Sequence, residues 1–263
     1  MTYDTFLFCN ELDLLEIRLN ILDKYVDKFV LVESNFSHTH LFKPLYFSEN
    51  KQRYDKFLDR IIHIITDINI SENPFVYQWA HRDIILKKIP NLKYDDIVLH
   101  SDLDEIPYPK KLSEIIKNLD CLKFFSHDYY HYCLDLMIPQ RNTWQRGMMV
   151  TKLKYLTSNL SQTRENWNRG YEIISDNGWH YGFLGPPKII CEKMFFQAHS
   201  NELSDFKNNE EYILDYIRNK SAFGGKIVPN FLQKVELNKN NCSEYILNNK
   251  EKYKYLFYDF YKN

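Results

Sequence analysis

Several features that mark particular protein classes are scarce in this chain of 263 residues. It contains only seven glycines, and no apolar run approaches the roughly 18 residues that a membrane-spanning helix needs. Its formal net charge of −1 argues against a general binder of nucleic acids or membrane surfaces. The opening residues, MTYDTFLFCNELD, lack a basic segment followed by an apolar one, so we expect no signal peptide. These absences favour a globular, cytoplasmic protein with no nucleic-acid partner and no membrane span.

The cysteines give no sign of a disulfide framework or of a structural zinc site. There are five, an odd number, with wide spacing and no C-x-x-C pair: Cys9, Cys121, Cys133, Cys191 and Cys242. Paired cysteines in short secreted domains usually come in even numbers at close spacing. We therefore expect reduced thiols, most of them in the core, in a reducing compartment.

The first hundred residues alternate short apolar runs with amphipathic segments. Tyr3 to Phe8, Lys28 to Glu33 and Ile61 to Ile65 are predicted strands, because they are short and rich in aromatic and β-branched residues. The spacing of leucines predicts a helix from Glu11 to about Tyr25, and a second amphipathic helix follows from Pro74 to Lys88. The resulting order, β-α-β-β-α-β, favours a mostly parallel sheet.

The segment DDIVLHSDLDEIPYP, residues 95–109, is the most informative in the chain. Its run IVL predicts a buried fourth strand, and the acids Asp102, Asp104 and Glu105 follow directly. On extended backbone, a spacing of two places the side chains of Asp102 and Asp104 on one face. Such carboxylates repel each other unless a cation lies between them, and Mg²⁺ or Mn²⁺ suits oxygen ligands and substrate phosphates. The alternative is an acidic loop that caps the next helix.

Three other polar segments, with four residues of interest, allow both a structural and a functional interpretation. Glu33, at the end of the second strand, is either a helix or turn cap or a ligand contact at the sheet edge. His38 and His40 have a spacing that could bind metal, although such a pair on a loop more often does not. In GWHYGFLGPP, residues 178–187, the glycines allow close approach of a ligand, and His180 is either a phosphate or metal contact or a core histidine.

The second half of the chain has a less regular pattern. A helix is expected over residues 109–119, and a long strand from Leu122 to Leu136. The tyrosines of that strand either line a wet face suited to carbohydrate on the acceptor side or pack on both faces. Residues 188–196 are predicted to be helical, as is most of the chain from Asp205 onward.

Four stretches together resemble glycosyltransferase family 17, the family of the β-1,4-mannosyl-glycoprotein 4-β-N-acetylglucosaminyltransferases. They are NELDLLEIRLNILDKYVDKFVLVESNFS (residues 10–37), KPLYF (43–47), DDIVLHSDLDEIP (95–107) and NGWHYGF (177–183). A weaker match continues through EYILDYIRNKSAFGG, residues 211–225. The first and third stretches are long and specific, and the resemblance extends over most of the chain.

The resemblance implies an α/β fold of the GT-A type, with a Rossmann-like, mostly parallel central sheet flanked by helices and a helical C-terminal region. It implies one catalytic domain over residues 1–263. Residues 1–109 would bind the nucleotide sugar, residues 110–204 would bind the acceptor and complete the metal site, and residues 205–263 would form a helical extension. The implied reaction is inverting transfer of GlcNAc from UDP-GlcNAc to a glycan hydroxyl, with Mn²⁺ or Mg²⁺ as cofactor.

The same resemblance implies roles for individual residues. The implied metal ligands are Asp102, Asp104, Glu105 and His199, and the implied donor-binding residues, besides Asp102 and Asp104, are Asn10, Glu11, Glu33, Arg82, Trp179 and Lys193. His180 falls where the diphosphate and the acceptor should meet. The acceptor hydroxyl also needs a general base, and Asp176 and Glu202 are carboxylates close to the two later motifs.

Departures from the family pattern leave alternatives open. Animal members carry an N-terminal membrane anchor, which we do not expect here, and this fits a bacterial or viral origin. Tyr181 and Gly182 replace the Cys or Ser usual after GWH, so another nucleotide sugar, or a surface polysaccharide as acceptor, remains open. A metal-dependent phosphohydrolase could use the same acids, although Cys9 and Asn10 stand where its nucleophilic aspartate is expected. A catalytically dead glycan-binding protein would not need the acidic cluster.

Overall fold

The computed structural model describes residues 1–67, 71–140, 143–175, 177–200, 209–222 and 231–262. Its strands are β1 (Thr2–Leu7), β2 (Lys28–Glu33), β3 (Ile61–Ile65), β4 (Ile97–His100), β5 (Glu105–Pro107), β6 (Lys123–Phe125), β7 (Asp128–His131), β8 (Leu136–Met137), β9 (Met149–Lys152), β10 (Glu172–Ile174), β11 (Gly178–Gly182) and β12 (Gln233–Lys234). Its α-helices are α1 (Leu12–Leu22), α2 (Tyr46–Glu49), α3 (Pro74–Asp83), α4 (Ile85–Lys88), α5 (Pro109–Lys117), α6 (Leu160–Glu165), α7 (Pro187–Phe196), α8 (Glu210–Arg218) and α9 (Glu244–Asn248).

The larger of two sheets has seven strands in the order β10-β6-β9-β4-β1-β2-β3. The pairs β1–β2, β1–β4 and β2–β3 are parallel, as is β6–β10, whereas β9 runs antiparallel to both β4 and β6. Four of the six pairings are therefore parallel, which agrees with the α/β class and the mostly parallel sheet expected from the sequence. The carboxyl ends of β1, β2 and β4 meet at one edge, and the loops that follow them are neighbours.

The second sheet has five strands in the order β12-β8-β7-β11-β5. Strand β11 pairs parallel with β7 and antiparallel with β5, so the GWHYG segment lies between the aromatic segment and the end of the acidic loop. The main hydrophobic core joins residues from Phe6 to Leu256 and includes side chains of both sheets, among them Tyr130 and Trp179. The acidic loop thus passes from one sheet directly into the other.

The prediction of one continuous aromatic strand over residues 122–136 is wrong. It is broken into β6 in the large sheet and β7 and β8 in the second sheet, and Tyr132, with φ of 63°, ends β7. All four residues of β7 are buried, which agrees with tyrosines packed on both faces and not with a wet carbohydrate face at Tyr129 and Tyr130. The two-residue alternation of side chains continues from β6 into β7. The sequence pattern alone therefore does not show that the chain passes from one sheet to the other.

Three other expectations need correction. Helical pieces, α2 and a 3₁₀ segment over Lys51–Arg60, lie between β2 and β3, where two consecutive strands were expected. The helix predicted over residues 74–88 is interrupted at Ile84 and forms α3 and α4. The C-terminal region is not only helical, because β12 pairs with β8.

The described residues also bear on the expectations about membrane spans and disulfides. None of the helices there is long and apolar enough to cross a membrane. All five cysteines are free thiols, three of them buried.

Candidate functional site

The acidic segment forms the loop after β4, at the carboxyl edge of the large sheet, as the sequence predicts. It is not extended, however, because residues 103 and 104 form a turn before β5 begins at Glu105. The side chains of Asp102 and Asp104 contact different cations, Asp102 two arginines and Asp104 a lysine. The expectation from their spacing of two assumed strand-like backbone, which the turn replaces.

Arg18, on helix α1, binds the backbone of this loop. It is fully buried and pairs with Asp4 of β1, with 2.8 Å from Nε to Oδ2 and 2.7 Å from Nη2 to Oδ1. Its Nη1 donates to the carbonyl oxygens of Asp102, Leu103 and Glu105, at 3.0, 2.9 and 2.8 Å. A guanidinium with one carboxylate and three carbonyl acceptors fixes the backbone of the acidic loop.

Asp102 lies between two arginines that are both almost fully buried. Arg82, from α3, places Nη2 2.6 Å from Oδ1, and Arg164, from α6, places Nη2 2.9 Å from Oδ2. Burial alone would raise the pKa of Asp102, but the charges of Arg164 and Arg82 outweigh it and hold the pKa well below its usual range. The side chain of Asp102 remains 36% exposed, so the carboxylate faces the surface with two cations at its sides.

Asp104 has a different set of neighbours. Lys193 of α7 places Nζ 2.9 Å from Oδ2, and His180 of β11 places Nε2 3.4 Å from Oδ1. Lys193 also contacts Glu11 at 2.6 Å, just before α1. Burial opposes ionisation of Asp104, yet Lys193 and His180 lower its pKa from the ordinary value. Asp104, Lys193 and Glu11 therefore form a charged row along the α7 side of the loop.

Glu105 is fully buried and connects the acidic loop to its surroundings. Its Oε1 accepts from Arg164 Nη2 at 2.7 Å and from Trp144 Nε1 at 2.5 Å. Its Oε2 accepts from the backbone N–H of Asp102 at 3.0 Å. These contacts use both carboxylate oxygens to hold the loop and Arg164 in place. A metal-ligand role for Glu105 stays a prediction.

His180 is enclosed by aromatic rings. The ring of Tyr129 stacks on it at 4.4 Å between centroids and an angle of 6°, and Trp144 lies 4.2 Å away. Tyr129 can approach because residue 182 is glycine, where a Cβ would lie 2.5 Å from the Tyr129 ring. The ring is buried, as expected for a core histidine, and it also contacts Asp104 of the acidic loop. A contact of His180 with phosphate or metal stays a prediction.

Other residues implied by the resemblance lie at varying distances from this centre. Glu33 accepts the backbone N–H groups of Phe47 and Ser48 and contacts His63, so it caps the short helix α2. Trp179 points to the opposite face of β11 from His180 and donates to the carbonyl of Asn241 at 2.7 Å. The structure therefore does not bring Trp179 together with Asp104.

The remaining residues of the implied site are Asn10, His199 and the two proposed bases. Asn10 donates from Nδ2 to Glu192 of α7 at 3.1 Å, on the side of the edge occupied by Lys193. His199 packs its ring against Phe75 of α3, with centroids 4.8 Å apart. Asp176 and Glu202 lie outside the described residues, so both stay predictions.

Sequence reasoning missed Arg18, Arg164 and Trp144. Arg18 had a signal, because it interrupts the apolar face of α1 while an aspartate interrupts the apolar strand β1. A charged residue at a core position is almost always paired. Arg164 and Trp144 lie in a polar stretch without clear periodicity, and only the fold brings them to Glu105.

The donor set limits how a divalent cation can bind. Within the described ranges, no group of three or more His, Cys, Asp or Glu side chains is arranged to hold one. Carboxylate oxygens of Asp102 and Asp104 nevertheless suit Mg²⁺ or Mn²⁺, which commonly take one or two carboxylates and complete their shell with substrate phosphates. The residues therefore fit an ion that is shared with an anionic substrate.

The family model described as glycosyltransferase family 17 matches residues 1–259. No curated protein matches the chain.

Proposed function

The chain belongs to glycosyltransferase family 17 and is a glycosyltransferase, and from that premise we propose that it takes its sugar from a nucleoside diphosphate sugar, UDP-GlcNAc, and transfers it to a glycan hydroxyl. The single observation that carries the proposal is the presence of three cationic side chains around the acidic loop. Arg82, Arg164 and Lys193 are all largely buried and all contact Asp102 or Asp104. Such a centre suits a diphosphate leaving group.

The chemistry of the leaving group explains why cations are needed there. When the bond between the sugar and the diphosphate breaks, negative charge grows on the diphosphate oxygen. Positive groups that are already in place stabilise that charge without reorganising, and they act more strongly in a site with little water. Arg82 and Arg164 are 3% and 2% exposed. Their guanidinium groups also offer paired N–H donors to phosphate oxygens.

The proposal includes a divalent cation, Mn²⁺ or Mg²⁺, with Asp102 and Asp104 as its protein ligands. A bound ion of this kind would act as a Lewis acid toward the departing diphosphate. Lys193 would remain next to Asp104 as a further donor to the diphosphate, while Glu105 and Arg18 hold the loop that presents both carboxylates. His199 is retained as a proposed additional ligand.

A GT-A-type arrangement with inversion at the sugar carbon is part of the same proposal. It is supported by the parallel strands β3-β2-β1-β4, by the antiparallel β9 beside β4, and by the acidic loop at the carboxyl end of β4. Inversion requires one direct attack by the acceptor hydroxyl, assisted by a general base. Asp176 and Glu202 are the proposed bases, and His180, in contact with Asp104, is the proposed catalytic group among the described residues.

Calorimetric titration tests the proposal directly. UDP and UDP-GlcNAc are titrated into the wild-type protein with and without Mn²⁺, and into Asp104→Asn, which keeps the side-chain volume but removes the charge. The control is Asp95→Asn, because Asp95 lies in the same segment but is 76% exposed and, among the residues that the structure describes, pairs with Lys154 away from the site. We expect Mn²⁺ to tighten binding to the wild type and the control, and not to Asp104→Asn.

Two outcomes would contradict parts of the proposal. A folded wild-type protein that binds neither ligand would refute the nucleotide-sugar site. Binding that is equally tight without Mn²⁺, in the wild type and in Asp104→Asn, would refute the metal. Turnover of UDP-glucose and UDP-GalNAc beside UDP-GlcNAc then decides the sugar.

A further inference from the structure

Several buried polar atoms near the carboxyl edge of the large sheet have no hydrogen-bond partner among the residues that the structure describes, and two of them have complementary chemistry. They are Nζ of Lys43, on the loop after β2, and Oδ1 of Asn10, just after β1. Each residue is only 3% exposed. A buried polar atom without a partner costs free energy, so its presence calls for a physical explanation.

The amide of Asn10 has a defined orientation. Its Nδ2 donates to Glu192 Oε2 at 3.1 Å and more weakly to the carbonyl oxygen of Ile189 at 3.4 Å. Both partners are acceptors, so reversing the amide would place its oxygen against two other oxygens. Oδ1 is therefore the atom that Asn10 offers to a ligand, and it can only accept a hydrogen bond.

Lys43 offers the opposite kind of group. Its backbone N–H donates to the carbonyl of Asn35 at 2.8 Å, which fixes the start of the KPLYF segment. Its ammonium lies 5.6 Å from the centre of the Tyr46 ring. A lysine ammonium has three donors and no acceptor, and a ring face satisfies none of them fully.

Contacts on the α7 side connect both groups to the acidic loop. Tyr46, whose ring lies near the Lys43 ammonium, donates to Glu192 at 3.5 Å, and the next residue, Lys193, contacts Asp104. The backbone of His38 is tied to α7 through the carbonyl of Phe196 at 3.0 Å. Lys43 and Asn10 therefore lie along the same sheet edge as the acidic loop.

We propose that Lys43 and Asn10 recognise the uracil edge of the donor nucleotide, with Asn10 Oδ1 accepting from N3–H and Lys43 Nζ donating to a ring carbonyl oxygen. This inference rests on the proposed nucleotide-sugar function. A diphosphate offers acceptors only, so it would satisfy Lys43 but would be repelled by Asn10 Oδ1. The uracil edge has one donor flanked by two acceptors and matches both groups. Cytosine has no proton at N3 and would face Asn10 with a second acceptor.

The experiment compares UDP, CDP and pyrophosphate by calorimetry on the wild type, Lys43→Met and Lys43→Gln. Methionine keeps an unbranched side chain without the charge, so folding is not expected to suffer, and thermal melting checks this. Glutamine restores a neutral donor. Lys188→Met is the control, because Lys188 is an exposed lysine on α7. The wild type should bind UDP at least ~10-fold more tightly than CDP, because cytosine leaves buried groups unpaired.

The proposal requires Lys43→Met to weaken UDP ~10-fold to 100-fold, with pyrophosphate binding unchanged and the UDP to CDP ratio reduced. Lys43→Gln should recover part of that ratio, and Lys188→Met should match the wild type. Equal loss for UDP and pyrophosphate would place Lys43 at the phosphates and overturn the proposal, as would unchanged UDP affinity. A wild-type protein that binds no nucleotide would instead refute the proposed function itself.

Discussion

Arg18 and Asp4 form a fully buried ion pair next to the acidic loop, with 2.7 Å between Arg18 Nη2 and Asp4 Oδ1. The same guanidinium donates to the carbonyl oxygens of Asp102, Leu103 and Glu105. Stability and site geometry therefore depend on one side chain, which carries no direct contact to the carboxylate oxygens of Asp102 or Asp104 in the described hydrogen bonds. Arg18 is a positioning residue in this arrangement.

Arg18→Met should strongly destabilise the fold, because it leaves the buried Asp4 charge without its partner. Breaking a buried pair from one side typically costs about 3–5 kcal/mol, and urea unfolding of the variant tests this expectation. The double variant Arg18→Met, Asp4→Leu should regain much of that stability, since no charge remains unpaired. It should still have low kcat at unchanged glycan KM, because the loop carbonyls lose their donors. A double variant with full kcat would show that Arg18 only stabilises the fold.

Arg164→Gln should reduce transfer by weakening stabilisation of the leaving diphosphate. Loss of one preorganised donor in such a site lowers kcat by about 10²–10³. Arg169→Gln is a matched control, because Arg169 is an exposed arginine only five residues away. Initial rates of UDP release measure both variants. Thermal melting and circular dichroism check that Arg164→Gln is still folded, because it leaves the buried carboxylate of Glu105 without its cation. Similar rates for Arg164→Gln and the control would remove Arg164 from the diphosphate site.

Mild acid should unfold the protein, because four histidines with lowered pKa values must gain protons. Burial is the largest cause that lowers the pKa of His38, His100, His127 and His131, to about 3 for His38 and His131. In the unfolded chain their pKa is about 6.5, so the unfolded state binds more protons below that pH. The stability they contribute is complete above pH 6.5 and falls by about 5 kcal/mol per pH unit below it.

Urea unfolding at pH 7, 6 and 5 measures this loss. Asp102 and Asp104 have lowered pKa values, so their contribution is present above pH 4 and is lost only in stronger acid, outside this window. His131→Gln should reduce the slope by roughly one quarter, because one of four protonations disappears. A free energy of unfolding that stays constant from pH 7 to 5 would contradict the prediction.

Gly178→Ala should disturb the pairing of β11 with β5 next to the acidic loop. A Cβ at Gly178 would lie 2.3 Å from the carbonyl oxygen of Ile106 and 2.8 Å from Cα of Pro107. Overpacking of this kind costs about 1–3 kcal/mol, and here backbone must move. Because Glu105 begins β5, activity should fall at least ~10-fold as the loop shifts.

Gly170→Ala is the comparison for this variant. Gly170 has φ of +86°, and no heavy atom of the described residues lies within 4 Å of the position that a Cβ would take there. Alanine at this position therefore meets only the cost of left-handed backbone. It should lose about 1–2 kcal/mol of stability and keep its activity. Equal activity loss in both variants would show that stability alone, and not the β5–β11 contact, controls turnover.

Local patterns in the sequence determined the first part of the fold well. Strands β2 and β3 begin and end at the predicted residues. Strand β4 is one residue longer than predicted and ends at His100. These strands are short, buried and bounded by polar residues, so their signal depends on neighbouring residues alone. The position of the acidic loop at the end of the fourth strand was predictable for the same reason, because it also depends on neighbouring residues alone.

Elsewhere the sequence pattern was insufficient, because alternation does not reveal which sheet a strand joins. Residues 122–136 alternate throughout, yet β6 and β7 belong to different sheets. The spacing of Asp102 and Asp104 likewise suggested a shared face, whereas the turn between them directs each carboxylate to its own cations. Backbone conformation at a loop depends on what packs beneath it, here Arg18.

The sequence by itself determined the class of fold, the position of the acidic loop and the resemblance to glycosyltransferase family 17. Only the tertiary structure decided which charges meet, because Arg18, Arg82, Arg164 and Lys193 reach the loop from separate helices. These contacts join residues that are 20 to 89 positions apart in the chain. A buried charge needs a partner to offset its desolvation, but the sequence does not specify which distant residue supplies it.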